Sequence, residues 1–176
     1  LALLAVLPGT SISHANTFVY GIATSANIPS EYKIVKNGAV IDPSGLKKYD
    51  VVTLDAANRQ ALVSDTRVSG RYSEGGPTVS YPQEVKVYGN SFRISDSAAA
   101  FFKDMKLKDY ITLLFDADGN VAAAYPRSTV SADMQGIVTA IDEGKATVTL
   151  TNGITLRNMD IDKLDKPTAL MGRLVS

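Results

Sequence analysis

Tyr32-Lys-Ile-Val-Lys-Asn-Gly-Ala-Val-Ile41, Val85-Lys-Val-Tyr-Gly-Asn-Ser-Phe-Arg-Ile94 and Thr147-Val-Thr-Leu-Thr-Asn-Gly-Ile-Thr-Leu156 are three renderings of one pattern. Each places Asn-Gly or Gly-Asn between two runs rich in β-branched residues. Those dipeptides accept the positive φ that a tight turn requires, so each stretch reads as a β-hairpin. Ahead of each copy stands a glycine-bearing segment that reads as a strand: Tyr20–Thr24, Ser69–Tyr72 and Gln135–Thr139. Three recurrences in one chain point to tandem small β modules rather than one site built once.

Working outward, the first unit covers residues 17–65, with a strand expected around Phe18–Thr24. Asp42-Pro43-Ser44-Gly45 reads as a turn with φ preset by proline, and Tyr49–Leu54 as a buried strand. The second unit covers 66–130. It opens with a strand over Arg67–Tyr72 and a loop over Ser73–Pro77, and its hairpin turns at Gly89-Asn90. Ser95 or Asp96 is placed to cap a short helix near 96–105, with Phe101, Phe102 and Met105 on its core face. Asp109-Tyr-Ile-Thr-Leu113 then restates Asp50-Val-Val-Thr-Leu54. The third unit, 131–176, reads as incomplete, with a helical linker over Asp160–Leu164 and a closing strand that either falls beyond the last residue or is formed by Leu170–Val175. Residues 1–16 read either as the remnant of a signal peptide or as the end of an upstream domain. Both ends read as cut.

The fold class expected is mainly β: tandem small β-barrel-like units of SH3 or OB type with one short helix. In Thr147-Val-Thr-Leu150 the alternation puts valine and leucine on one face and threonines on the other.

Composition narrows the chemistry. The chain has 176 residues, with 18 Lys plus Arg against 18 Asp plus Glu. That balance supplies no steering field for nucleic acid. Cysteine is absent, which removes disulfides, thiol catalysis and cysteine-ligated metals. The one histidine, His14, has no second histidine to form a metal or base pair, and a Ser-His-Asp arrangement is not expected.

Asp116-Ala-Asp118-Gly119-Asn120 has oxygen ligands at alternate positions, as calcium loops do. It lacks the later acidic ligand of such loops and reads as a β-turn. Asp160, Asp162 and Asp165 are interleaved with Lys163 and Lys166 and read as a solvated turn. The eight tyrosines (Tyr20, Tyr32, Tyr49, Tyr72, Tyr81, Tyr88, Tyr110 and Tyr125) read as half-buried cross-strand packing rather than a stacking face. No catalytic, cofactor-binding or metal-ligating residue is assigned, and no cofactor is expected.

Over Gly45–Asp55 and Asp65–Glu74, continuing through Val85–Ile94, Leu107–Val121 and Met134–Leu150, the chain resembles a group of large exported proteins of Gram-positive bacteria. These carry S-layer homology domains, and the likeness is to their β-rich regions outside the anchors. It covers most of residues 17–157. It implies an extracellular, cell-surface setting and no catalytic residues to carry over. The resulting expectation is a non-catalytic structural or interaction module. Its partners would be other domains of the same surface protein, cell-wall components or further copies of itself. There would be no nucleic acid and no membrane span. The alternative is a glycan- or peptide-binding β module using a tyrosine-bearing face or the Ser73–Pro77 loop.

Overall fold

A computed structural model describes residues 16–22, 26–161 and 174–175. The chain is mainly β, and its strands form three sheets, none of which closes on itself. The first sheet holds β1 (Thr17–Val19), β2 (Lys33–Lys36), β3 (Ala39–Ile41), β4 (Val51–Asp55) and β5 (Gln60–Ser64), in the order β1-β4-β5-β2-β3. The second holds β6 (Arg67–Gly76), β7 (Glu84–Val87), β8 (Asn90–Arg93), β9 (Tyr110–Phe115) and β10 (Val121–Pro126), in the order β10-β9-β6-β7-β8. The third holds β11 (Gly136–Asp142), β12 (Lys145–Leu150), β13 (Thr155–Asp160) and β14 (Leu174–Val175), in the order β13-β12-β11-β14. All named pairings are antiparallel except β2 with β5.

The three quoted stretches all form hairpins, and their turn chemistry differs in instructive ways. Asn37 (φ 51) and Gly38 (φ 78) both sit at positive φ, as a two-residue type I′ turn demands. In the second hairpin the turn falls one residue earlier than the sequence indicated. Tyr88 (φ 52) and Gly89 (φ 72) make it, and Asn90 already pairs with Val87. In the third, the Gly153 N–H bonds to Leu150 O at 2.8 Å and the Leu150 N–H to Ile154 O at 2.8 Å. With Gly153 at φ 90 this is a three-residue loop whose last residue forms a bulge.

A second repeat links the first two sheets. In Lys47–Asp50 the Asp50 carboxylate accepts the Lys47 N–H at 2.9 Å, and Tyr49 stands at φ 70. In Lys106–Asp109 the Asp109 carboxylate accepts the Lys106 N–H at 2.8 Å, and Lys108 stands at φ 77. The following strands pair alike, β4 with β1 and β9 with β6. Both pairings carry a hydroxyl contact, Thr17 to Thr53 at 3.0 Å and Ser69 to Thr112 at 2.6 Å. The Asp-x-x-Thr-Leu similarity is therefore a similarity of turn and register.

Several expectations are corrected. The first strand ends at Val19, and Tyr20–Ile22 form a turn in which Gly21 takes φ 75. Residues 23–25 lie outside the described residues. Ser73–Gly76 are not a loop. They extend β6 and pair with β7, Glu74 facing Lys86 and Gly76 facing Glu84. The glycine reads as flexible in sequence but serves close approach, since a Cβ on Gly75 would lie 1.9 Å from the Tyr72 hydroxyl.

The helix near 96–105 is a 3-10 helix over Asp96–Phe102. At about three residues per turn, Ala99 and Phe102 stack on one side and are buried, while Phe101 is 38% exposed. Ser95 does not cap it with its side chain, because its hydroxyl donates to Val121 O at 3.1 Å. Asp160 belongs to β13 rather than to a linker, and 162–170 lie outside the described residues. A short strand, β14, does run alongside β11 within the expected closing segment.

The cores cross sheet boundaries. One cluster joins Val68, Tyr72, Val87, Phe102 and Phe115 of the second stretch to Val138, Val148, Leu150 and Leu156 of the third. Another joins Val19 and Val51 to Leu114, Ala122, Ala123 and Val130. A third lies within the first sheet, around Ile34, Val52, Ala61 and Val63. Burial of Ala146, Val148 and Leu150 between half-exposed threonines matches the alternation in the sequence.

Tyr72 is fully buried and donates its hydroxyl to Val79 O at 2.6 Å. Burial pushes its phenol up to about 12, from an ordinary value of 10.0. A pKa raised by folding favours the neutral form in the native state. Its contribution is therefore intact below the unfolded value and is lost as pH rises through the folded one. Stability measured by urea unfolding should decline from pH 10 to about 12. Tyr72→Phe, which cannot ionise, should flatten part of that decline. An unchanged slope in the variant would assign the decline to other groups, such as Tyr88 and Tyr125, both raised chiefly by burial.

Candidate functional site

The two segments that join the sheets, around Asp65-Thr66 and Ser131–Asp133, approach one another beside the Asn152-Gly153 turn. They enclose a polar cleft of about 740 Å³. Lys47, Asp50, Asp65, Arg67, Asp133 and Asn152 line it. Asp50 is wholly buried at the head of β4. One carboxylate oxygen, Oδ2, accepts the Lys36 ammonium at 2.8 Å and the Lys47 N–H at 2.9 Å. The other, Oδ1, is buried and has no hydrogen-bond partner within the protein, and the same holds for Arg67 Nε. Lys36 also reaches Asp65 at 3.7 Å. Asn152 fixes the far wall, its amide donating to Arg67 O at 2.7 Å.

An apolar cleft of about 440 Å³ adjoins it, lined by Val35, Leu62, Phe92, Phe115 and Ile154, with the Asp116–Gly119 turn on its rim. Asp116 is nearly buried, and its Oδ1 accepts the N–H groups of Asp118 and Asn120, both at 2.9 Å. That carboxylate is a turn-former, as Asx turns are. The corresponding turn after β4 works similarly. Asn58 donates side-chain and backbone hydrogens to Asp55, and its side-chain bond holds the Asp55 carboxyl below the usual range. Among the described residues, no group of three or more acidic or histidine side chains is placed to hold a metal ion.

The other sequence candidates are dispersed. Asp160 pairs with Lys145, while Asp162, Asp165 and His14 lie outside the described residues. The eight tyrosines do not gather on one face, although Tyr20 and Tyr32 line a third cleft together with Phe18. Tyr72 is buried, Tyr49 and Tyr125 meet edge to face at 5.2 Å, and Tyr88 and Tyr110 share a hydroxyl contact of 3.2 Å. Only Tyr81 and Tyr110 are exposed, and neither lines the two clefts at the junction.

Sequence reasoning passed over Asp50, Lys36 and Arg67. The one signal for Asp50 was its place before a β-branched run, repeated at Asp109. Nothing local marked Lys36 as its partner, because the two meet through the parallel β2–β5 pairing. No helix among the described residues is long and apolar enough to cross a membrane. No family model matches the chain, and no curated protein or solved structure matches it.

Proposed function

We propose that this chain is a non-catalytic structural and interaction module of an exported bacterial cell-surface protein, associated with an S-layer. It spaces and presents other domains of the same surface protein and contacts cell-wall components or further copies of itself. The observation that carries this reading is the continuity of the cores. Units of this size have marginal cores alone, and here hydrophobic clusters run from first sheet to second and from second to third. Asn90 reinforces the second junction from both ends of its amide. It donates to Arg157 O at 3.1 Å and accepts the Arg157 N–H at 2.9 Å. The cell-surface setting rests on the sequence resemblance and suits a chain without cysteine.

We read the units as barrel-like in the OB manner. Supporting this, the second sheet's strands follow the order β10-β9-β6-β7-β8, an isolated parallel bridge joins Ile94 to Val121, and the 3-10 helix falls between the third and fourth strands.

Because the chain lacks cysteine, spin labels go on cleanly at Ser44→Cys and Ala140→Cys, both exposed positions on the first and third sheets' stretches. A rigid spacer gives one narrow distance distribution by pulsed electron spin resonance, and one cooperative melt. A broad distribution, or separate melts for the units, would rule out the spacer.

A further inference from the structure

We propose that the polar cleft at the junction of the three sheets binds a small zwitterion carrying an ammonium and a carboxylate, the chemistry of a free α-amino acid. Asp50, wholly buried, and the half-buried Arg67 flank the same cleft, and each keeps one buried side-chain atom without a hydrogen-bond partner within the protein. Asp50 Oδ1 lacks a donor and Arg67 Nε lacks an acceptor. Burying a charged group without its full set of hydrogen bonds is among the costlier arrangements in a fold.

The charges around them have both signs. Asp50, Asp65 and Asp133 are the acids, and Lys47 and Arg67 are the bases, with Lys36 behind. Lys36 serves Asp50 and Asp65 together. Among the described residues, neither Lys47 nor Arg67 has an acid within ion-pair distance. A ligand carboxylate would meet those two cations, and its ammonium would meet the carboxylate side. A ligand with a single charge would leave one half of this set unmatched. The cleft volume lies in the range of small-molecule sites. It differs in kind from the neighbouring apolar cleft, which offers aliphatic and aromatic walls.

The site is also composite. Asp50 precedes β4, Arg67 opens β6, Asp133 leads to β11 and Asn152 turns β12 into β13. A ligand there touches all three sheets' flanks and stabilises the whole chain by mass action.

The test uses the full chain, with the free L- and D-amino acids as probes and acetate, methylammonium and glucose as comparisons. Thermal melting and backbone amide shifts are read together. At least one amino acid should raise the midpoint and move the amides of Lys47, Arg67 and Asn152, while the comparison compounds leave them in place. Lys47→Gln and Asp133→Asn change exposed side chains, and the Lys47 backbone bond to Asp50 survives the first. Each should weaken binding about tenfold, which is about 1.4 kcal/mol. Silence of these amides at tens of millimolar of every amino acid overturns the proposal. So does acetate matching the best amino acid, which marks a simple anion site, or glucose matching it, which marks a hydroxyl site.

Discussion

Asp50→Ala should destabilise the chain by about 3–5 kcal/mol, the cost of breaking a buried ion pair from one side. Asp50 has no exposure, and the Lys36 side chain is only 11% exposed. Alanine would strand the Lys36 ammonium with only Asp65 at 3.7 Å, and would leave the Lys47 N–H without its acceptor. The turn that launches β4 would keep only its backbone bond from the Asp50 position to Lys47 O, where the strand enters the core through Val51 and Val52, both essentially buried. Urea unfolding should show a lower midpoint at unchanged slope. The double variant Lys36→Met, Asp50→Leu should recover part of the loss, because two apolar side chains leave no charge stranded. A single-variant loss below about 1 kcal/mol would place the pair with ordinary surface bridges instead.

Phe102→Ala should cost a similar amount, about 3–5 kcal/mol, through loss of transfer energy and the cavity left behind. Phe102 is fully buried and meets Tyr72 edge to face at 5.5 Å. Its cluster also contains Val148 and Leu156 of the third sheet. The informative measurement is therefore amide exchange as well as the midpoint. Protection should fall together in β9 and β12, since a shared core transmits a void to both sheets. If β12 kept its protection while β9 lost it, the two sheets would be independent, and the spacer reading would lose its main support.

Much of the local architecture was legible in the residues. Asn37-Gly38 and Asn152-Gly153 marked turns because positive φ is a property of one or two residues and owes little to the rest of the chain. The β-branched strand expected over Tyr49–Leu54 and the alternation over Thr147–Leu150 were legible for a related reason, strand periodicity being written into neighbouring side chains, although the first strand starts only at Val51, after Tyr49 and Asp50 have made the turn. Errors arose where a residue answers to one particular partner in the fold rather than to its own turn or helix preference. Gly75 looked like loop material, yet it is small to admit the Tyr72 hydroxyl. Ser95 looked like a helix cap, yet it bonds to Val121 across the sheet. Asn90 looked like a turn residue, yet it pairs with Val87 and holds Arg157. The Asp116 turn was read as a turn, and its carboxylate is spent on backbone N–H groups.

The polar cleft was not legible at all. Its walls come from segments about 100 residues apart, from Lys47 to Asn152, and no short-range pattern encodes which linkers meet. By itself, then, the sequence determined the mainly β character, the threefold recurrence, the hairpins and the absence of thiol chemistry. Tertiary structure alone decided that the sheets share cores, that β2 runs parallel to β5, and that Asp50, Lys36 and Arg67 gather at one junction. The physical reason is the range of the interactions. Turn and strand preferences act over a few residues, whereas burial and ion pairing depend on which surfaces the folded chain removes from water together.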